Sequence, residues 1–233
     1  MKNLLFISLL MASSFNCKSQ KNMKIVYVYD ALCGWCYGFS PVMTQFQEKY
    51  KDSFDFEVIS GGMITDDRIG AIGEVAGYIS WAYKDVEKAT GVKFGSDFLD
   101  KTLKEGSAIF TSIPLSIALS IFKETDTTGN SVLFAAELQK AIYYDGLEPK
   151  DLQGYGKIAS KFEIDSANFV EKMKEPKYRK LAEADFEKSS TFGVTGFPTI
   201  FIEVEGKYHK IGSGYMPMSQ LESNYLRIKN TIK

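Results

Sequence analysis

Cysteine and histidine are scarce in this chain, whose 233 residues include three cysteines and one histidine. Three cysteines are too few for the disulfide framework that stabilises many small secreted domains. A structural zinc site needs about four thiolate or imidazole ligands. The sequence offers only His209 and no second cysteine pair, which argues against a zinc site, so no bound metal is expected.

An excess of charge of either sign is also lacking. The chain has 28 Lys and Arg against 29 Asp and Glu, a formal net charge of -1, and its basic residues are scattered. Proteins that bind nucleic acids concentrate positive charge on one surface. We therefore expect no nucleic acid partner.

Long apolar runs are missing as well. A helix that crosses a bilayer needs about 20 apolar residues, whereas the apolar stretch Leu4–Ala12 has only the length of a signal-peptide core. With 45% hydrophobic residues, the chain can still bury a sizeable core. This composition is typical of one globular unit, or of one domain with an insertion.

Residues 1–23 have the pattern of an export signal followed by a tether. Lys2 supplies a short positive region ahead of the apolar stretch, as in secretory signals. Cys17 and the polar residues after it resemble the lipid-modified N-terminus of a bacterial lipoprotein. Cleavage nearby without lipidation, or no cleavage at all, are the alternatives. We expect an exported protein on the periplasmic side, whose only membrane contact would be a lipid on Cys17.

The segments that flank the other two cysteines have strand and helix patterns. Residues 24–29 form a β-branched and aromatic run, which is typical of a buried strand in a largely parallel sheet. A helical pattern with one apolar stripe follows, up to about Tyr50. Residues 54–59 alternate between apolar and polar side chains, which predicts a second strand.

Helical periods dominate residues 65–192, where no strand is predicted. The clearest apolar stripe predicts a helix over residues 69–86. Further helices are predicted over residues 96–104, 114–125, 131–144, 149–161, 166–174 and 177–190. Strand character returns as a hairpin over residues 199–211, and a last helix closes the chain.

The tetrapeptide Cys33-Gly34-Trp35-Cys36 lies at the junction of the first strand and the first helix. Two thiols at this spacing and place are typical of a thiol-disulfide redox site. A helix N-terminus stabilises a thiolate, so Cys33 is expected to be the nucleophile. Cys36, one turn inside the helix, is expected to be buried and to resolve the mixed disulfide. A purely structural disulfide is the alternative, although so short a loop gains little stability by chain entropy.

Two segments resemble the DsbA family of thioredoxin-fold proteins, especially its branch of predicted protein-disulfide isomerases. Tyr29–Phe39 (YDALCGWCYGF) is similar to the family's active-site segment. Gly193–Thr199 (GVTGFPT) resembles the loop that carries a cis-proline facing the cysteines. The family inserts a helical domain between the second strand and that proline, which is where residues 65–192 lie.

The resemblance implies an α/β, thioredoxin-like fold with a large all-helical insertion between the second strand and the cis-proline strand. Residues 24–64 and 193–233 would form the thioredoxin-like domain, and residues 65–192 the insertion. The Phe197-Pro198 peptide bond would be cis, with the Phe197 backbone pairing with an extended client peptide. A simple strand-entry proline is the alternative.

The residues between and before the cysteines leave several questions open. Gly34 and Trp35 would contact clients, with Trp35 exposed or else packed on Tyr37 or Phe39. They replace the histidine that makes DsbA a strong oxidant, so oxidase, reductase and isomerase activity are not distinguished. Asp30 would relay a proton to Cys36 or merely end the strand. Tyr27 stands where many thioredoxin-fold proteins bury an acidic residue.

Aromatic residues of the helical part either pack in the core or line an apolar groove above the cysteines. These residues are Tyr78, Trp81, Tyr83, Tyr143 and Tyr144. Residues 112–114, which open the most apolar helix, are a second candidate for the groove. The pair Gly61-Gly62 is interpreted as a turn.

These patterns together predict an exported thiol-disulfide oxidoreductase or isomerase that exchanges disulfides with cysteine-containing client proteins. A redox partner would recycle the dithiol, and no dissociable cofactor is needed. One alternative is a small-molecule enzyme resembling kappa-type glutathione transferases, which would require only Cys33. The other is a non-catalytic peptide-binding lipoprotein, which would require neither Cys33 nor Cys36.

Overall fold

The computed structural model describes residues 23–231, in which six strands form two sheets. The strands are β1 (Met23–Tyr29), β2 (Asp55–Ser60), β3 (Gly70–Ala71), β4 (Ile109–Phe110), β5 (Thr199–Val204) and β6 (Lys207–Ser213). The main sheet has the order β2-β1-β5-β6, and β3 pairs with β4 in a small second sheet.

Helices account for most of the chain between the strands. The α-helices of the described residues are α1 (Gly34–Tyr50), α2 (Ala76–Thr90), α3 (Ile113–Thr125), α4 (Ser131–Tyr143), α5 (Leu152–Ser160), α6 (Ser166–Lys172), α7 (Pro176–Thr191) and α8 (Met218–Thr231). A π-helical segment, Asp97–Leu103, occupies the helix predicted over residues 96–104. The predicted helices over 114–125, 131–144, 166–174 and 177–190 are confirmed to within a few residues, and the hairpin is formed by β5 and β6.

The central strand β1 is buried on both faces. Tyr27 faces the main core with α1, whereas Val26 and Val28 belong to a second cluster on the other face. The expectation of a largely parallel sheet is wrong, because only β1 and β2 run parallel and β5 is antiparallel to β1. A continuous apolar run reports burial on both faces of a strand, and helices can cover both faces whatever the direction of its neighbours.

The segment at residues 69–75 is not α-helical, because residues 69–71 are extended and Ile72–Val75 form a short 3-10 helix. The amides of Ile72 and Gly73 donate to the carbonyls of Ala108 and Gly106, each at 2.9 Å. A Cβ on Gly73 would lie 2.8 Å from the Gly106 carbonyl oxygen, so the two backbones need glycine to approach this closely. The predicted helix over 69–86 is therefore wrong in its first part and begins at Ala76.

The β3-β4 pair also corrects the prediction that no strand lies within residues 65–192. Gly70 pairs with Phe110, and Ala71 pairs with Ile109. Strands of two residues carry too little alternation to be recognised from sequence. Another boundary differs because Asp151 caps α5 by accepting from the amides of Gln153 and Gly154, so this helix starts later than its predicted residue 149.

The sheet and the helices share one continuous hydrophobic core. Phe39 of α1 packs toward Tyr27 of β1, and Phe122 of α3 stacks on Phe134 of α4 with ring centroids 4.1 Å apart. All of these side chains belong to a single buried cluster. The helices of residues 65–192 are thus packed directly against the segment that carries the cysteines.

Candidate active site

Cys33 lies between β1 and α1, one position before the helix begins. Its backbone is extended, with φ -91° and ψ 112°. Its amide donates to the Asp30 carbonyl at 3.1 Å, and its carbonyl accepts from the Tyr37 amide at 3.0 Å. The free amides of the first helical turn and the positive end of the helix dipole are therefore directed at the Cys33 side chain.

The loop that precedes β5 faces Cys33. Its Phe197-Pro198 peptide bond is cis, as the resemblance predicts, and Pro198 leads directly into β5. The Cys33 Sγ lies 3.6 Å from the Phe197 carbonyl oxygen, close enough for a weak hydrogen bond from the thiol. The fold thus brings the cysteine pair and the proline loop into contact.

Gly61 allows the proline loop to approach so closely. Its amide donates to the Tyr29 carbonyl at 2.7 Å, which continues the β1-β2 pairing. A Cβ on Gly61 would lie only 2.2 Å from ring atoms of Phe197. Gly61 was interpreted from the sequence as part of a turn, but it also provides the space for the Phe197 ring.

The two thiols differ in acidity. A hydrogen bond from the Cys36 thiol lowers the pKa of Cys33, with further help from the amides of Cys36 and Trp35, although burial and the charge of Asp30 oppose the shift. Burial raises the pKa of Cys36 well above its ordinary value, as do its hydrogen bond to Cys33 and the Cys33 charge. Cys33 is therefore the sulfur that ionises first.

Asp30 is buried beside the cysteines and is more than the end of a strand. Its carboxylate accepts hydrogen bonds from the amides of Leu32 at 2.9 Å and Met63 at 2.8 Å, and from the hydroxyl of Ser112 at 2.9 Å. Burial nevertheless raises its pKa, and its charge raises the pKa of both thiols. The predicted relay to Cys36 stays a prediction.

Helix α4 contributes two contacts that the sequence did not assign. The Tyr143 hydroxyl donates to the Leu32 carbonyl, and the Gln139 side-chain amide donates to the Asp30 carbonyl at 3.5 Å. Both side chains are buried. A signal for Gln139 does exist, since it is a polar residue among the apolar positions of α4.

Trp35 is 38% exposed, which confirms its expected exposure. Its ring centroid lies 6.4 Å from that of Tyr215, in the segment after β6. It does not pack on Tyr37 or Phe39, which are buried. No local pattern in the sequence marks Tyr215 as its neighbour.

Two buried phenols lie on the inner side of the site. Among the described residues, the hydroxyl groups of Tyr27 and Tyr29 find no hydrogen-bond partner. Burial raises the pKa of Tyr27 well above its ordinary value, and the charges of Cys36, Tyr29 and Cys33 raise it further. A neutral phenol thus occupies the position where related proteins bury an acid.

An apolar cavity of about 330 Å³ opens beside Cys33. Tyr78, Tyr83 and Tyr143 line it, as the groove alternative predicts, and Tyr143 is at the same time buried in the main core. Trp81 and Tyr144 do not line it and are not in the core either, being 55% and 47% exposed. Ser112, from the other groove candidate, binds Asp30 instead.

Several predictions concern residues or features away from this site. Cys17 and the rest of residues 1–22 lie outside the described residues. His209 is partly buried on β6. Within residues 23–231, no group of three or more His, Cys, Asp or Glu side chains could hold a metal ion, and no helix is long and apolar enough to cross a bilayer.

A mixed sheet with a cysteine pair at a helix start and a cis-proline opposite it defines a thioredoxin-like fold, and this confirms the predicted fold class. The model of a protein family described as the DSBA-like thioredoxin domain matches residues 102–226, just over half of the chain. The chain belongs to this DsbA-like family. The matched part contains the proline loop and begins after the cysteine pair.

Solved structures share the same fold. A candidate protein disulfide isomerase from Nitrosomonas europaea has a TM-score of 0.77 at 20% identity, covering 90% of this chain and 98% of that one. The cytosolic disulfide reductase DsbM from Pseudomonas aeruginosa has a TM-score of 0.75 at 24% identity, covering 90% and 100%. A 2-hydroxychromene-2-carboxylate isomerase has a TM-score of 0.60 at 13% identity, covering 89% and 96%. A search of curated proteins gives no significant match.

Replacing Cys36 with alanine should raise the pKa of Cys33, because it removes the thiol whose hydrogen bond is the main cause of the lowered value. Cys36→Ser keeps a hydroxyl donor and should shift the pKa less. The midpoint of iodoacetamide alkylation against pH measures this shift, and an unchanged midpoint in Cys36→Ala would contradict the assignment.

Because folding lowers the Cys33 pKa, the thiolate stabilises the reduced protein above the ordinary thiol pKa, and this stability is lost as pH falls through the lowered value.

Gly61→Ala should lower the free energy of unfolding by about 1 to 3 kcal/mol, because the added methyl collides with the Phe197 ring. Phe197→Ala removes that ring, so the double variant should lose at least about 0.5 kcal/mol less than the sum of the single losses. Urea denaturation measures all three. Gly77→Ala, whose Cβ would meet nothing within 4 Å, is the control and should not destabilise the protein. Strictly additive losses would show that the two residues do not compete for space.

Proposed function

We propose that this protein is an exported thiol-disulfide oxidoreductase that exchanges disulfides with cysteine-containing proteins. The observation that carries this proposal is the position of Cys33, at the start of α1 with its sulfur 3.6 Å from the Phe197 carbonyl in the cis-proline loop. One sulfur is favoured as a thiolate there, while its partner in the next turn keeps its proton.

In the reducing direction, the Cys33 thiolate attacks one sulfur of a client disulfide. A bond forms between Cys33 and the client, and the other client sulfur leaves as a thiolate and takes up a proton. Cys36 then loses its proton and attacks the Cys33 sulfur, which releases the second client thiol. Two electrons pass from the dithiol to the client, and a protein disulfide between Cys33 and Cys36 remains.

The oxidising direction reverses each of these steps. In isomerisation, Cys33 attacks a client disulfide, and a different client thiolate then displaces Cys33 from the mixed disulfide. A separate redox partner would restore the starting state of the dithiol in either net reaction. The Gly34-Trp35 pair supplies no cation between the cysteines, so the direction depends on that partner and on the reduction potential.

The surrounding residues have defined tasks in this proposal. The Phe197 backbone would pair with the extended client, and Gly34 and the exposed Trp35 would contact it. Asp30 would accept the proton that Cys36 loses. In support of this role, burial raises the pKa of Asp30, which makes its carboxylate a better base.

Export is the second part of the proposal, and it is supported by the sequence pattern of residues 1–23. DsbM from Pseudomonas aeruginosa, a protein with the same fold, is described as cytosolic. The location of this protein therefore has to be measured for the chain itself.

Cys33→Ser should abolish the reduction of insulin and the oxidative refolding of a reduced client, because the remaining Cys36 is fully buried and its pKa is raised well above the ordinary value. Cys36→Ser should still attack clients but accumulate the mixed disulfide, visible on a non-reducing gel. Cys17→Ser is the matched control and should keep full activity.

The same variants separate the alternative functions. Full turnover by Cys36→Ser would favour a small-molecule glutathione enzyme of the kappa type. If the wild-type protein shows no turnover and the variant with both Cys33→Ser and Cys36→Ser still binds clients, the protein is a non-catalytic binder. Undiminished exchange by Cys33→Ser would overturn the proposed function.

For export, the full chain produced in a Gram-negative host should lose its N-terminal residues and appear in the membrane fraction with a lipid on Cys17. Cys17→Ser should move the protein to the soluble periplasmic fraction, whereas Cys33→Ser should stay with the membrane. Mass spectrometry of the purified protein identifies the N-terminus and any lipid. A full-length chain confined to the cytoplasm would refute export.

A further inference from the structure

Helix α4 holds two carbonyl groups of the turn before Cys33. The Tyr143 hydroxyl donates to the Leu32 carbonyl. The Gln139 side-chain amide makes a longer hydrogen bond, of 3.5 Å, to the Asp30 carbonyl, which also accepts from the Cys33 amide at 3.1 Å. Both donors therefore act on the short stretch of backbone that places Cys33 at the start of α1.

The Leu32 carbonyl belongs to the same peptide group as the Cys33 amide, so its oxygen stays close to the Cys33 side chain. A carbonyl oxygen carries partial negative charge, which repels a nearby thiolate. The hydrogen bond from the Tyr143 hydroxyl offsets part of this repulsion. This hydrogen bond therefore stabilises the protein more when Cys33 is a thiolate than when it is a neutral thiol.

Tyr143 is suited to this task because its hydroxyl remains a donor. The side chain is 6% exposed, burial raises the pKa of the hydroxyl well above its ordinary value, and the charge of Cys33 raises it further. The hydroxyl thus keeps its proton when Cys33 ionises. Edge-to-face contacts with the rings of Phe94 and Phe98, at centroid distances of 5.1 and 5.2 Å, hold the phenol in place.

Gln139 is an unfavourable residue for the position that it occupies in the core. Its side chain is completely buried, and among the described residues its Oε1 atom finds no hydrogen-bond partner. An apolar side chain would avoid the cost of burying this oxygen. The other end of the amide group explains the residue, because it donates to the Asp30 carbonyl in the turn before Cys33.

We propose that Tyr143 and Gln139 are positioning residues that set the redox equilibrium of the Cys33-Cys36 dithiol. By binding carbonyls of the turn, they stabilise the reduced form in which Cys33 is a thiolate, so the disulfide becomes easier to reduce. The inference rests on the proposed function, since it assumes a dithiol that cycles. It gives two neutral donors of α4 the role of a cation, which the residues between the cysteines do not supply.

Equilibration with glutathione tests this in Tyr143→Phe, which keeps the ring and loses the hydroxyl. The reaction converts the dithiol and oxidised glutathione into the Cys33-Cys36 disulfide and two molecules of reduced glutathione. At a pH above the alkylation midpoint of the wild-type protein, its equilibrium constant should rise about 5-fold in Tyr143→Phe. Gln139→Leu should raise it by a smaller factor, because the lost hydrogen bond is longer. The pH midpoint of iodoacetamide alkylation should rise in both variants.

Tyr155→Phe is the matched control for a purely structural role. Tyr155 is completely buried, and its hydroxyl donates at 2.7 Å to the Pro149 carbonyl, which lies outside the active-site turn. Urea denaturation should show similar losses of stability in Tyr155→Phe and Tyr143→Phe, whereas the glutathione equilibrium should change only in Tyr143→Phe. Gln139→Leu should change the equilibrium without loss of stability, because it removes the buried Oε1 atom that has no partner.

The possible results separate this inference from the proposed function. An unchanged equilibrium in Tyr143→Phe, or a shift toward the dithiol, would overturn the inference and leave the proposed function intact. If Tyr143→Phe does not fold, the same results in Gln139→Leu decide. A wild-type protein that forms no Cys33-Cys36 disulfide at any glutathione ratio would overturn the proposed function and the inference together. Shifted equilibria in a protein that exchanges disulfides with no client would overturn the proposed function alone.

Discussion

The carboxylate of Asp30 joins the chain segments that surround the two cysteines. It accepts hydrogen bonds from Leu32 after β1, from Met63 after β2 and from Ser112 at the start of α3. A buried carboxylate without such partners would be strongly destabilising, so these segments must stay together for the site to remain folded. The turn that carries Cys33 is thereby held against the helices of residues 65–192. These hydrogen bonds do not fully offset the desolvation of the Asp30 carboxylate, because burial still raises its pKa.

Beside this carboxylate, the two cysteine sulfurs have different pKa values because they lie one helical turn apart. Cys33 lies outside α1 and receives hydrogen bonds from the first turn, whereas Cys36 lies inside the helix and is completely buried. The same buried environment that keeps Cys36 protonated lets its thiol stabilise the Cys33 thiolate. Exchange of disulfides by a dithiol requires this asymmetry, since one sulfur must attack first and the other must wait. The Cys33 sulfur then has two neighbours of different character, the polar backbone of the proline loop and the uncharged wall of the adjacent cavity.

Much of the fold was predictable because burial leaves a periodic trace in the sequence. The run of residues 24–29, the stripe of α1 and the hairpin of β5 and β6 are each confirmed by the structure. Apart from the start of α5, where Asp151 caps the helix locally, the failures come from hydrogen bonding or packing with distant residues. Residues 69–75 have the apolar spacing of an α-helix, but the amides of Ile72 and Gly73 bind the carbonyls of residues 108 and 106, and the α-helix begins only at Ala76. The direction of β5 relative to β1 likewise has no trace in an apolar run.

The sequence by itself determined the cysteine pair and its place at a helix start, because a short motif and local periods encode them, and the resemblance to a known family implied the cis-proline loop. Tertiary structure alone decided the detailed contacts around Cys33. Gly61 makes room for Phe197, Gln139 and Tyr143 of α4 bind the turn before the helix, and Val75 and Tyr78 extend an uncharged cavity. These residues come from elements far apart in the chain, and their contacts depend on how helices and sheet pack around one core. Side-chain spacing reports which face of an element is buried, but it carries no information about the partner that buries it.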